Sequence, residues 1–210
     1  MKYDSFKYLY PPRPEAAIPP DMLEWYEKRG WVAQYKKNGT NTIIAISPDK
    51  EFTAMNRHAA NHKAWQLTSY IKQELVRLFL EEYWIVLVAE IMHSKTKTIK
   101  DTIFIHDILV YQNEFLIDSE FETRQKLLDS KLITKVETQT HYVCDKDNKI
   151  WYAKRFTKDF EKLFFDIKDP TIDEGLVLKN PKGKLSSCSK PTSNESWQVK
   201  VRHNSKKYNF

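Results

Sequence analysis

The stretch Gln34-Tyr35-Lys36-Lys37-Asn38-Gly39-Thr40-Asn41 constrains this chain more than any other. It lies between the apolar run Trp31-Val32-Ala33 and the β-rich run Thr42 to Ile46, so it reads as strand, tight loop, strand, with Lys36 where the first strand ends. Gly39 in this reading supplies a backbone conformation that a residue with a Cβ takes poorly. The lysines of such a loop have two readings. They can point to water from a hairpin. Alternatively, Lys36 can attack a phosphorus, provided neighbours keep its amine unprotonated and a metal neutralises the phosphates.

The remainder of the chain sets the frame for that choice. Its 210 residues, 41% hydrophobic and 30% charged, make one large or two small soluble globular domains. A formal charge of +6 and a pI near 9.1 lean toward an anionic partner, of which nucleic acid is the commonest. Cys144 and Cys188 are too few for a disulfide framework or a zinc site, so a reducing compartment, the cytoplasm, is expected. The N-terminus lacks an apolar signal core, and the most apolar window, Tyr83 to Met92, is too short to span a bilayer and contains Glu90. No membrane association is expected.

In order, residues 1–20 hold five of the nine prolines and read as an extended arm, laid on the surface or mobile. Asp21 is placed to cap a short helix through Lys28, ended by Gly30. Strands are expected around Thr42 to Ser47 and Phe52 to Met55, the second followed by Arg57. Asn61 to Glu82 carries the apolar stripe of an amphipathic helix. Trp84 to Met92 reads as a buried strand in which Glu90 must find a partner. Thr102 to Val110 is a further strand, with His106-Asp107 inside it. Phe121 to Leu132 reads as a helix, and Thr138 to Cys144 with Ile150 to Lys154 as a hairpin. Phe156 to Ile167 has the spacing of a helix whose aromatic face belongs to the core.

Asp173-Glu174-Gly175-Leu176-Val177-Leu178-Lys179 is the second strong signal. Alternation along a strand puts Glu174, Leu176 and Leu178 on one face and Gly175, Val177 and Lys179 on the other. Further on, Trp197-Gln198-Val199-Lys200-Val201-Arg202 reads as a strand with Lys200 and Arg202 on one face. Two cations so placed suit a phosphate chain, or they protect an edge strand from aggregation.

These stretches resemble, in order, the motifs of the covalent nucleotidyltransferases, the ATP-dependent DNA and RNA ligases and mRNA capping enzymes. Lys36-Lys37-Asn38-Gly39 resembles the nucleotidyl-attachment motif K-x-(D/H/N)-G. Glu174 to Lys179 is similar to E-G-(hydrophobic)-V-x-K. Trp197 to Arg202 resembles W-x-x-K-x-K, with arginine in the last place. His106-Asp107-Ile108 resembles F-D-(I/L), with histidine for the aromatic that stacks on adenine, and Glu90 falls in the third motif. The resemblance implies an α+β fold: two packed antiparallel sheets with flanking helices and the nucleotide in the groove between them. The domain would span residues 31–210 behind an arm and short helix at 1–30, without an OB-fold module.

It implies roles as well. Lys36 would be the nucleophile, with Lys179 and Lys200 at the phosphates. Gln34, Tyr35, Asn41, Arg57, Glu90, His106, Val177 and Arg202 would contact the nucleotide, and Glu174 and Glu90 would hold a metal. ATP and Mg²⁺ (or Mn²⁺) are the implied cofactors. The implied activity is a polynucleotide ligase that joins 5′-phosphate and 3′-hydroxyl ends through a lysyl-AMP. Gly39-Thr40-Asn41 is similar to the G-T-N of one branch of RNA ligases and tilts the reading to RNA. A DNA ligase, a capping guanylyltransferase and a non-catalytic nucleic-acid-binding relic remain alternatives. Nucleic acid ends or nicks are the expected partners, bound with help from Arg202, Lys206 and Lys207, and a partner protein would replace the OB-fold module.

Overall fold

The computed structural model describes residues 2–80, 82–132, 135–191 and 194–203; Lys206 and Lys207 lie outside them. Strand β1 (Arg13–Ala17) and a 3-10 turn (Pro20–Met22) lead into helix α1 (Leu23–Glu27). Strands β2 (Val32–Lys37), β3 (Thr40–Ile46) and β4 (Phe52–Asn56) follow, then helix α2 (Ser69–Leu78). Next come β5 (Ile85–Met92), β6 (Thr102–Tyr111), β7 (Glu114–Phe115) and helix α3 (Phe121–Lys131). The short strands β8 (Val136–Glu137), β9 (His141–Val143) and β10 (Ile150–Ala153) precede helix α4 (Phe160–Phe165), β11 (Asp173–Lys179) and β12 (Asn194–Arg202).

The α+β class expected from the sequence holds, with two sheets. One runs β4-β3-β5-β6-β10-β9-β8 with β7 also on β6, and the other runs β1-β12-β11-β2. Both are mixed rather than wholly antiparallel, because β10 lies parallel to β6 and β1 parallel to β12. Each parallel pair joins strands far apart in sequence, where no tight hairpin forces an antiparallel return.

The lysine loop is not a hairpin. β2 pairs with β11, whereas β3 pairs with β4 and β5, so at Asn38-Gly39 the chain crosses from one sheet to the other. Gly39 is needed here for closeness rather than for a left-handed backbone. A Cβ on it would lie 2.9 Å from both the Glu90 Cβ and the Ile91 carbonyl oxygen. The crossing is held by Asn38 N–H on the Ile172 carbonyl (2.8 Å), Asn38 Nδ2 on the Thr171 carbonyl (3.0 Å) and Lys95 Nζ on the Gly39 carbonyl (2.5 Å).

Each sheet has its own apolar backing. Ile71, Leu75 and Leu78 of α2 and Leu128 of α3 pack with Ile44, Leu87 and Ile105 of the larger sheet. Leu23 of α1 and Phe160 and Phe164 of α4 pack with Leu176, Leu178 and Val201 of the smaller one. At about 1.5–3 kcal/mol per large buried side chain, these two layers fix the sheets from behind and leave their facing sides for polar groups.

Several sequence expectations shift. The helix read over Asn61 to Glu82 starts only at Ser69, because the Thr68 hydroxyl accepts from Ile71 N–H (3.2 Å) and caps it there. Asp21 lies inside the 3-10 turn and makes no side-chain cap. The helix read over Phe156 to Ile167 shortens to Phe160–Phe165. The arm lies on the surface, as expected, and is anchored there: Tyr3 and Leu9 are buried against Ile43, Val88 and Leu109, and β1 completes the smaller sheet.

Candidate active site

The sheets enclose a cavity of roughly 340 Å³. From the smaller sheet, Gln34, Lys36, Val177, Lys179, Lys200 and Arg202 border it. From the larger come Asn41, Glu90 and His106, with Arg57 from the turn after β4. Strand register explains the convergence. Lys36 stands opposite Gly175, itself opposite Arg202, and one step along Gln34, Val177 and Lys200 form a second row. Side chains two residues apart on adjacent strands thus meet above one patch of sheet.

Tyr35 borders the cavity too, but its ring belongs to the core beneath, edge-on to Phe156 at 5.5 Å, with the phenol donating to the Leu163 carbonyl at 3.4 Å. Alternation along β2 turns it away from its neighbours Gln34 and Lys36.

Two bulges re-aim site residues. Asp173 pairs with Lys37 and Gly175 with Lys36, so Glu174 is an extra residue in β11. Strict alternation assigns Glu174 to the core face with Leu176 and Leu178. The bulge instead brings its carboxylate to Lys36 Nζ in an ion pair, with Arg202 Nη2 3.7 Å away. Gly175 permits the bulge: its φ is +153°, and a Cβ there would lie 2.0 Å from the Val201 carbonyl oxygen. In β6, Asp107 pairs with Val88 and Ile105 with Ala89, which makes His106 extra in the same way.

Behind the cavity lies a buried polar layer. Arg124 of α3 grips Asp107 with Nε and Nη2 at 2.9 and 3.0 Å and donates to the Ser119 carbonyl at 2.6 Å. Burial pushes the Asp107 carboxyl up, yet the Arg124 guanidinium, together with Lys179 and the Ile108 N–H, holds the group below its ordinary value. Gln125, next on α3, accepts from Gln34 Nε2 (3.2 Å) and donates to the His106 carbonyl (3.2 Å), tying both sheets to one helix.

Charge in the cavity is predominantly positive. Burial lowers the Lys179 amine to about 8, against the pull of Asp107. Lys200 is lowered by burial and then by the like charges of Arg202 and Lys36. Glu90 is raised by burial, opposed by Lys36 and Lys95. Among the described residues no three His, Cys, Asp or Glu side chains are grouped to hold a metal ion. Hard oxygen donors are nevertheless present: the carboxylates of Glu90 and Glu174, and the buried Asn41 Oδ1, which has no hydrogen-bond partner among the described residues.

The architecture is that of known enzymes. It is similar to mycobacterial DNA ligase D complexed with ATP and MES, with a TM-score of 0.62 and 14% identity over 94% of this chain and 62% of that one. The ligase domain of M. tuberculosis LigD gives 0.60 and 13% over 91% and 60%. The ATP-dependent DNA ligase of bacteriophage T7, complexed with ATP, gives 0.56 and 12% over 91% and 68%. This chain has the fold of a ligase nucleotidyltransferase domain. It spans about 60% of the length of the two mycobacterial chains. No protein-family profile and no curated protein matches the sequence.

Some of what borders the cavity was not expected from the sequence. Gln198 was legible, since it alternates with Lys200 and Arg202 along β12. Phe104, two residues before His106, carried the same signal. Pro11 to Glu15 carried none, because only tertiary pairing brings β1 to the cavity. Among the described residues no helix is long and apolar enough to cross a membrane.

Two half-buried histidines should make the fold acid-sensitive. Burial, then Lys179, lowers His106 to about 3; burial, then Lys37, does the same to His141, which stacks on Trp151 at 4.0 Å. Their folded values lie below the ordinary 6.5, so the unfolded chain binds protons first. Stability is therefore full above pH 6.5 and drains as pH falls toward 3. The urea midpoint should drop between pH 7 and pH 5, and His141→Gln should lessen the drop; a midpoint that stays level in the wild type contradicts this.

Proposed function

We propose that the chain is an ATP-dependent polynucleotide ligase that works through a lysyl-AMP. The observation that carries the reading is the setting of Lys36: an amine at the rim of a cleft, paired with the bulged Glu174 and faced by Lys179, Lys200 and Arg202. An ion-paired ammonium offers no lone pair, so Lys36 must leave Glu174 and give a proton to water before it attacks. Its Nζ then bonds to the α-phosphorus, and the bond from that phosphorus to the bridging oxygen breaks, with the electron pair leaving on pyrophosphate. Lys200 and Arg202 stabilise the charge that builds on the phosphoryl oxygens. Val177 and His106, on opposite sheets, bracket the space for a base, and the low value of His106 keeps its ring neutral there.

Glu174, Glu90 and Asn41 Oδ1 are oxygen donors that suit Mg²⁺ or Mn²⁺, a cation that completes its shell with phosphate oxygens and water. Such an ion neutralises phosphate charge. In the second step a 5′-phosphate oxygen displaces Lys36 from phosphorus and takes the AMP. In the third a 3′-hydroxyl attacks the 5′-phosphorus and AMP leaves. Gly39-Thr40-Asn41 favours RNA as the strand joined, and nicked DNA is the second reading, after the DNA ligases of like fold. Sealing of matched RNA and DNA nicks with ATP tests both, and no joined product from either would overturn the proposal.

Charge variants probe the phosphate site. Lys200→Ala should slow adenylylation by about 10²-fold, the scale of one lost transition-state donor. It should leave the melting temperature nearly unchanged, because Lys200 is only half-buried and holds no carboxylate within ion-pair distance among the described residues. Glu174→Ala should remove most metal-dependent labelling. Unfolding of Lys200→Ala with normal labelling by the folded remainder would contradict the role given to Lys200.

A further inference from the structure

The N-terminal segment is pinned at both sides of the cleft. On the larger sheet the Tyr8 hydroxyl donates to the Asn56 carbonyl at the end of β4 (2.6 Å). On the smaller, Ile18 N–H donates to the Lys200 carbonyl (2.8 Å), and β1 pairs along β12. Between these anchors Tyr10 N–H bonds the Cys188 carbonyl (2.8 Å), and Pro11, Pro12 and Pro14 stiffen the crossing. This strap borders the cavity and brings Arg13 to it.

Arg13 carries a charge that its surroundings leave unanswered. Among the described residues it has no carboxylate within ion-pair distance, and it adds to the like-charge field at Lys200. An arginine so placed, beside other cations and fixed by a stiff strap, fits an anion better than water alone.

Sheet order tells which anion. In the order β1-β12-β11-β2, Lys36 sits on one edge strand and Arg13 on the other, with Lys200 and Arg202 on β12 between. At about 4.8 Å per strand, the edges are roughly 14 Å apart. Arg13, opposite Asn194, stands farther along β1 than Ala17, which pairs with Lys200, so its long side chain must reach back to the cavity. A displacement at phosphorus is in line, so the group that leaves departs on the side away from the nucleophile. With Lys36 attacking from the β2 side and the α-phosphate over Lys200, the leaving phosphates point toward β1.

We propose that Arg13, carried over the cleft by the proline strap, binds the β- and γ-phosphates of the nucleoside triphosphate and the pyrophosphate they become. This rests on the ligase reading for the direction of attack. The bond that breaks is the one between the α-phosphorus and the oxygen bridging to the β-phosphorus; Arg13 stabilises the charge left on that oxygen and transfers no proton.

The experiment compares wild type, Arg13→Gln and Arg13→Lys in the full chain. Binding of ATP and of AMP is measured by calorimetry, and Lys36 labelling by α-labelled ATP is measured beside it. One charged hydrogen bond lost from the distal phosphates should weaken ATP by about 10- to 100-fold in Arg13→Gln while AMP changes little. Arg13→Lys should recover part of the loss, and an unchanged melting temperature separates this from a folding defect. Labelling should slow, and so should the return of ATP when pyrophosphate is added to the adenylylated protein. An ATP-to-AMP affinity ratio that stays constant overturns the inference, including the case in which Arg13→Gln weakens only binding of a nicked duplex. Failure of the wild type to label at all overturns the ligase reading instead, and the affinity ratio still decides the role of Arg13.

Discussion

Lys36→Ala should take up no label from α-labelled ATP and Mg²⁺, whereas the wild type should carry label that survives denaturation and is released by acid, as a phosphoramidate is. The loss should be total because the proposed nucleophile is gone. Lys37, the adjacent residue, also borders the cavity, but only 2% of its surface is exposed and its amine is held by Asp173 at 2.6 Å and Thr140 Oγ1 at 3.0 Å. Burial lowers its amine, opposed by Asp173. This neighbour is the internal control, and it fails differently. Lys37→Met strands a mostly buried carboxylate and should cost about 3–5 kcal/mol of stability, yet the folded fraction should still label. Label retained in Lys36→Ala, or lost from folded Lys37→Met, would move the nucleophile away from Lys36.

The second large effect is on the fold. Arg124→Met removes the only ion-pair partner of Asp107 among the described residues, inside a layer where Arg124 is fully buried. Breaking a buried pair costs about 3–5 kcal/mol, a large part of the 5–15 kcal/mol that holds a typical domain together. Asp107 also accepts from Ile108 N–H at 2.9 Å, so some of its carboxylate stays bonded. The companion variant decides the cause. Arg124→Met with Asp107→Leu deletes both charges and should regain much of the urea midpoint, as two apolar side chains replace a costly pair. If the double variant is no better than the single one, the loss came from the Ser119 carbonyl contact or from packing rather than from an orphaned charge.

This pair also joins the stability of the fold to the shape of the cavity. Asp107 follows His106 directly, and Arg124 precedes Gln125, which bonds both Gln34 and the His106 carbonyl. The strength of the Arg124 anchor therefore bears on the geometry of the cavity wall, and weakened nucleotide binding should accompany the loss of stability in Arg124→Met.

What the sequence determined by itself was local. Period-two alternation in β11 and β12, and the apolar runs around Lys36 and Glu90, marked the strands and the residues that share a face, since side-chain direction in a strand follows from spacing alone. Alternation set Lys179 beside Val177 and Arg202 beside Lys200, and both pairs reach the cavity. Tertiary structure decided the rest. Glu174 meets Lys36 because a bulge turns it off the core face, and alternation cannot announce a bulge. The crossing at Gly39 looked like a hairpin because a tight loop has the same residues whether the next strand pairs with its predecessor or with another sheet. Arg13 and the Asp107–Arg124 pair were invisible, since contacts between residues distant in the chain leave no periodic trace in either segment. Local spacing fixes where a side chain points, and only long-range packing fixes what it meets.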